Sequence, residues 1–189
     1  MALTSLDAVK EFLEKQGSEE TGEPSDDLLE NLVQAASTHI TNFSKREFEP
    51  SNKEERTFAH DGQGRSIFLS PFDLRSVDSI KVESESGSSE LTPDEYKLRP
   101  KPSKDGVYEW IRLAVDPGES EIAIKGDWGF AEVPADVEHW AKLTVVSWLR
   151  GDVFAYVPDL EAPAPLMKRA LPREVAMGLE DTYRRVSVG

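Results

Sequence analysis

The stretch "GDWGFAEVPADVEHWAKLTVVSWLR", residues 126–150, decides how this chain is read. It opens on a glycine–aromatic turn and passes at Val133-Pro134 into a helix, because the fixed φ of proline suits a first helical position. At about 100° per residue, Glu138, His139, Lys142 and Arg150 gather on one side. Val137, Trp140, Ala141, Thr144, Val145 and Trp148 fill most of the remaining circumference. An apolar arc this wide predicts burial on two sides, either inside a larger core or partly against another subunit. Trp128, Trp140 and Trp148 are accordingly expected in the core or at a subunit interface. Counting Trp110 with them, at least one tryptophan is expected at a subunit contact.

Working outward from that helix, the segment 25–48, "SDDLLENLVQAASTHITNFSKREF", repeats the helical period more cleanly. Ser25 is a good N-cap, Asp26 and Asp27 suit the positive end of the helix dipole, and Leu29, Leu32, Val33, Ala36, Ile40 and Phe43 form one stripe. The helix is expected to run to about Phe48. A shorter helix over 4–16 is capped by Thr4 or Ser5 and ended by Gly17, with the acidic "GSEETGEPSDD" (17–27) as a solvated connection.

From about 55 to 125 the period changes to two. The runs "RTFAH", "RSIFL", "VDSIKVE", "EYKLR", "VYEWIRL" and "EIAIKG" are punctuated by Gly, Pro, Ser and Asp, which predicts an antiparallel meander. "HDGQGR" (60–65) reads as a hairpin turn, "ESESGSSELTPDE" (83–95) reads as a mobile loop, and "RPKPSKDG" (99–106) reads as another. Beyond Gly151, Pro158, Pro163, Pro165 and Pro172 favour extended structure. A short terminal helix from Pro172 to about Arg185 carries the stripe Val175, Leu179 and Tyr183. The fold class expected is α+β: a small helical bundle with an inserted antiparallel β-meander and an extended C-terminal arm. Residues 1–157 make the core, with helices at about 4–16, 25–48 and 134–150, and residues 158–189 make the arm.

Charge narrows the function. The 189 residues carry 22 basic and 36 acidic side chains, net −14, which opposes wrapping of a nucleic acid because duplex binding depends on Lys and Arg neutralising phosphates. The segment from Ala164 onward has five basic residues against three acidic, net +2, leaving −16 elsewhere. With no cysteine there are no disulfides, thiolate nucleophiles or cysteine-held metals. No run approaches the roughly 18 apolar residues that span a bilayer, and the first residues lack a signal-peptide layout, so the protein is expected to act inside a cell and away from membranes.

Catalytic patterns are missing from the sequence. His39, His60 and His139 form no HxxxH or HxH pair, so no metal site is expected. "DGQG" leads into a strand rather than the helix N-terminus a phosphate cradle needs, the acidic loops lack EF-hand spacing, and no GxSxG occurs. The expectation is a non-enzyme without cofactors.

Two motifs carry a resemblance. The first places Leu28, Leu29, Ala35, Ala36, Ile40, Arg46 and Phe48 in an acidic–Leu-Leu…Ala-Ala…Ile helix followed by R-x-F. The second places Gly126, Trp128, Gly129, Phe130, Val133, Pro134, Asp136 and Val137 in a Gly-x-Trp-Gly-aromatic turn leading into Val-Pro-x-Asp-Val. Over about residues 3–150 the chain resembles the head–tail connector, or adaptor, proteins of tailed bacteriophages. The resemblance implies a structural virion protein assembled in the host cytoplasm and located in the neck. It implies a dodecameric ring joining the portal protein to head-completion or tail-side neck proteins, with DNA passing through the lumen without specific binding. It also implies that the C-terminal arm reaches the portal. Portal docking is expected through Leu171, Val175, Leu179 and Tyr183, assisted by Lys168, Arg169, Arg173, Arg184 and Arg185. The alternative from another class is an acidic DNA-mimic protein that inhibits a nucleic-acid enzyme by using the −16 body as a decoy.

Overall fold

The computed structural model describes residues 2–16, 24–85, 87–100, 106–150 and 171–183. They fall into two compact units, residues 1–45 together with 134–189, and residues 46–133.

The first unit is helical. In α1 (Leu6–Lys15) the Ser5 hydroxyl accepts the Ala8 N–H, and in α2 (Asp26–Ser44) the Ser25 hydroxyl accepts the Leu28 N–H. Caps of this kind contribute about 1 kcal/mol each. The stripe on α2 is its buried face: Leu29, Leu32, Val33 and Ala36 join Val9, Val145 and Trp148 in one apolar cluster. The helix stops at Ser44, short of the expected Phe48. Lys45 takes a left-handed conformation there and the Ser44 hydroxyl donates back to the Ile40 carbonyl at 2.8 Å. Arg46 and Phe48 belong instead to the second unit.

The helix of the opening stretch, α3 (Ala135–Arg150), packs against α1, α2 and α4 (Arg173–Thr182). Three helices of the same copy therefore cover its wide apolar arc, so the arc by itself does not require a second subunit. The terminal stripe is likewise used internally: Val175 and Leu179 are fully buried and Tyr183 is 7% exposed. Where the sequence divides the chain at 157/158 and assigns this helix to an arm, α4 counts with the helical unit. An amphipathic stripe shows that a helix docks, but not on what.

The second unit is antiparallel throughout. β1 (Ser51–Asp61), β3 (Leu74–Ser84), β4 (Gly87–Glu90) and β7 (Glu119–Trp128) form a sheet of order β1-β7-β3-β4. β2 (Ser66–Phe68), β5 (Tyr96–Arg99) and β6 (Trp110–Leu113) form a second, of order β2-β6-β5. Ile67, Ile111 and Leu113 from one sheet meet Ile80, Val82, Ile122, Ile124 and Trp128 from the other in a single apolar cluster. The two sheets therefore pack face to face.

Two local readings change. "HDGQGR" is a turn, with Gly62 and Gly64 at positive φ, but it joins strands of different sheets rather than a hairpin pair. The serine-rich segment expected to be a mobile loop forms β4, registered on β3 from Lys81↔Glu90 to Ser84↔Gly87, and then a 3-10 turn closed by a Thr92–Glu95 capping box. No helix among the described residues is long and apolar enough to cross a membrane. Replacing the buried Leu179 by Ala is expected to cost about 2–5 kcal/mol, read as a lower thermal midpoint of the full chain. An unchanged midpoint would show that α4 is not part of the core.

Candidate assembly site

Arg46 and Phe48 of the first resemblance motif meet Gly129 and Phe130 of the second inside the β unit, where the chain enters and leaves it. Arg46 is 5% exposed and Asp73 is fully buried. Their contact is bidentate, Nε to Oδ2 at 3.1 Å and Nη2 to Oδ1 at 2.7 Å, and Nη2 also reaches Glu109 Oε1 at 3.2 Å. The guanidinium lies 5.3 Å from the Phe130 ring centroid, and Phe130 packs on Phe48 at 5.3 Å. Backbone closes the same joint, since the Gly129 N–H donates to the Asp73 carbonyl at 2.7 Å. Gly129 has φ +70°, and a Cβ there would stand 1.8 Å from the Glu49 carbonyl oxygen. Only glycine fits.

A second stack lies beside it. The Arg56 guanidinium is 4.0 Å from the Phe72 ring and 5.0 Å from the Trp128 ring, with Glu47 and Glu54 at 2.9 and 3.1 Å. The Trp128 indole N–H donates to the Glu54 carbonyl at 2.9 Å. Hydrogen bonds from Ser51 and then Arg56 hold the Glu54 carboxyl below its usual range. Asp127 is lowered in the same direction, first by the Lys53 N–H and then by the Ser76 hydroxyl.

Of the expected site residues, Trp128 is wholly buried in the β unit and Trp148 is 3% exposed in the helical core. Trp140 is half-buried and meets Tyr183 edge-on at 6.1 Å. A Cβ on Gly178 would stand 2.4 Å from the Trp140 ring, so α4 can lie this close only with glycine there. Tyr183 also donates its hydroxyl proton to Asp136, at 3.1 Å. Val175, Leu179 and Tyr183, read as portal contacts, are thus turned inward, while Arg173 is exposed and Leu171 half-buried. Lys168, Arg169, Arg184 and Arg185 lie outside the described residues, as do Pro158, Pro163 and Pro165.

The histidines are separate: His39 packs on Trp148, His139 on Phe12, and His60 Nδ1 sits 3.0 Å from the Gly118 carbonyl. Among the described residues no group of three or more His, Asp or Glu converges on a metal-sized site. What the arrangement provides is a β unit whose first and last residues are tied together, with two sheet faces that carry exposed charge.

A profile of the head completion protein family matches residues 2–159, more than half of the chain. The chain belongs to the head completion protein family. No curated protein sequence matches it significantly. Among solved structures, a chain from the neck of an empty GTA particle computed with C6 symmetry aligns at TM-score 0.56 and 15% identity. That alignment covers 99% of this chain and 93% of that one. A chain from the virion of a native gene transfer agent (GTA) particle gives 0.52 at 15%, over 88% and 82%. One from the neck of a native GTA particle computed with C12 symmetry gives 0.50 at 16%, over 85% of each. At these identities the likeness is one of fold, and it extends over the helices and the β insertion of this head completion protein together.

Asp73 is the partner that sequence reasoning missed; it stands 27 residues from Arg46 and no spacing rule links the two. Asp73→Ala would strand a buried guanidinium and is expected to cost about 3–5 kcal/mol by chemical denaturation; a loss under about 1 kcal/mol would contradict the joint. The lowered carboxyls of Glu54 and Asp127 set a pH dependence. Such groups contribute stability above their unfolded values that is lost as pH falls through the folded ones. Unfolding midpoints should therefore drop below about pH 4, and Asp127→Asn should flatten that limb.

Proposed function

We propose that this head completion protein is a structural component of the virion neck. Copies close into a ring between the portal and the tail-side neck proteins, leaving a central passage for DNA. The observation that carries the reading is the family match across residues 2–159. Fold likeness to chains from particle necks computed with C6 and C12 symmetry supports a ring, and C12 supports twelve copies. The net charge of −14 supports a passage that does not grip the duplex, since an acidic wall repels phosphates at close range.

The portal contact is assigned to residues 158–189, with the basic side chains Lys168, Arg169, Arg173, Arg184 and Arg185 making it. Val175, Leu179 and Tyr183 hold α4 in the helical unit instead. Deleting the whole segment would also strip α4 from its core, so charge reversal is the cleaner test. The variant Lys168→Glu, Arg169→Glu, Arg184→Glu, Arg185→Glu should keep its thermal midpoint and bind purified portal rings on the order of tenfold more weakly or worse. That scale follows from up to about 1 kcal/mol per surface ion pair formed with the portal. Unchanged binding would remove the arm from the portal contact.

A further inference from the structure

The β unit segregates its surface charge onto two sheet faces. In β2, β6 and β5 the inward row is Ile67, Ile111 and Leu98, so the alternate rows face solvent. Those rows are Ser66, Arg112 and Lys97, then Phe68, Trp110 and Arg99. Lys97 and Arg112 are direct cross-strand partners and both are exposed. Phe68 is 60% exposed and packs on Trp110 at 6.2 Å. Among the described residues no carboxylate lies within ion-pair distance of Lys97, Arg99 or Arg112. Lys97, Arg99 and Arg112 line one depression together with Arg65, Asp94 and Glu95, and Glu95 is committed to Thr92.

The four-stranded sheet shows the opposite sign. Asp61 is registered on Glu119, and Glu121 on Glu83, with all four exposed. The lysines farther along that face already stand opposite acids, Lys81 across from Glu90 and Lys125 across from Glu55. Like charges placed directly opposite one another destabilise a sheet, and here both signs occur in one small unit. Because the inward faces share a single core, the two outer faces point away from each other.

We infer that the basic, aromatic face of the three-stranded sheet docks on the acidic face of the four-stranded sheet of a second copy of this chain. Each copy then relieves the repulsion on its neighbour, and Phe68 with Trp110 supplies the desolvated centre of the contact. Different faces meeting head to tail make a heterologous interface, which closes into a ring when the rotation permits. A nucleic-acid partner would account for the basic face alone and leave the registered carboxylates unexplained; a second copy accounts for both. The inference rests on the ring reading and names its interface.

The test uses full-length chains assembled on portal rings, with copies per portal counted by electron microscopy. Lys97→Glu with Arg112→Glu gives a copy with two acidic faces, and Glu83→Lys with Glu121→Lys gives a copy with two basic ones. Each alone should form at least tenfold fewer complete rings than wild type, and an equimolar mixture should restore them, because every contact then pairs opposite signs. Rescue on mixing also excludes misfolding. If either variant alone assembles like wild type, or the mixture fails while both keep their thermal midpoints, this interface is wrong and the ring reading survives. Wild-type chains that never close a ring defeat both. A basic-face variant that keeps its rings but loses retention of a single-stranded oligonucleotide assigns the face to nucleic acid and overturns the inference.

Discussion

A guanidinium taken out of water keeps its charge, so its burial is costly unless a carboxylate goes with it, and the β unit is organised around that constraint at Arg46 and Asp73. The pair joins the start of the insertion, the connection between β2 and β3, and, through the Gly129 N–H on the Asp73 carbonyl, the way out. With entry and exit held side by side, the first and last strands are neighbours, and β1 runs along β7 from Ser51↔Trp128 to Asp61↔Glu119. Phe48 and Phe130 close the joint on its apolar side. The register of β1 on β7 is therefore set where the insertion begins and ends.

Much of this was legible. The α2 stripe, the proline start of α3 and the alternation in β3, β6 and β7 each follow from the period of apolar residues, which local geometry enforces. Partners were not legible. Val175, Leu179 and Tyr183 are a true stripe, but nothing in their spacing says that α3 and α2 of the same copy receive them. The glycines of "HDGQGR" fix a turn and leave open which sheet the next strand joins. β4 was missed because Gly, Ser and Glu have low strand propensity and all four residues are exposed, so the backbone ladder to β3 alone makes it a strand. The basic face could have been found: in "YKLR" Lys97 and Arg99 stand two apart, in "WIRL" Arg112 stands two from Trp110, and the alternation used to locate the strands puts them on one side.

Where copies meet follows from what each copy already covers. The tryptophans of the opening stretch are consumed within their own units, Trp128 between sheets, Trp148 among helices and Trp140 under α4. The wide arc of α3 therefore does not by itself require a second copy. Among the described residues an electrostatic imbalance remains: a row of cations beside the exposed Phe68 and half-buried Trp110 on one sheet face, and opposed carboxylates on the other. If copies of this head completion protein close into the proposed ring, that polarity has a use, because subunits with opposite faces stack head to tail around an axis.

The most direct measurement is a residue-level cryo-EM map of the chain in place on its portal. The account predicts a closed ring in which Phe68 and Trp110 of each copy are covered by the Glu83–Glu121 face of the next. Single copies scattered on the portal, or a ring whose two sheet faces both stand open to solvent, would contradict it.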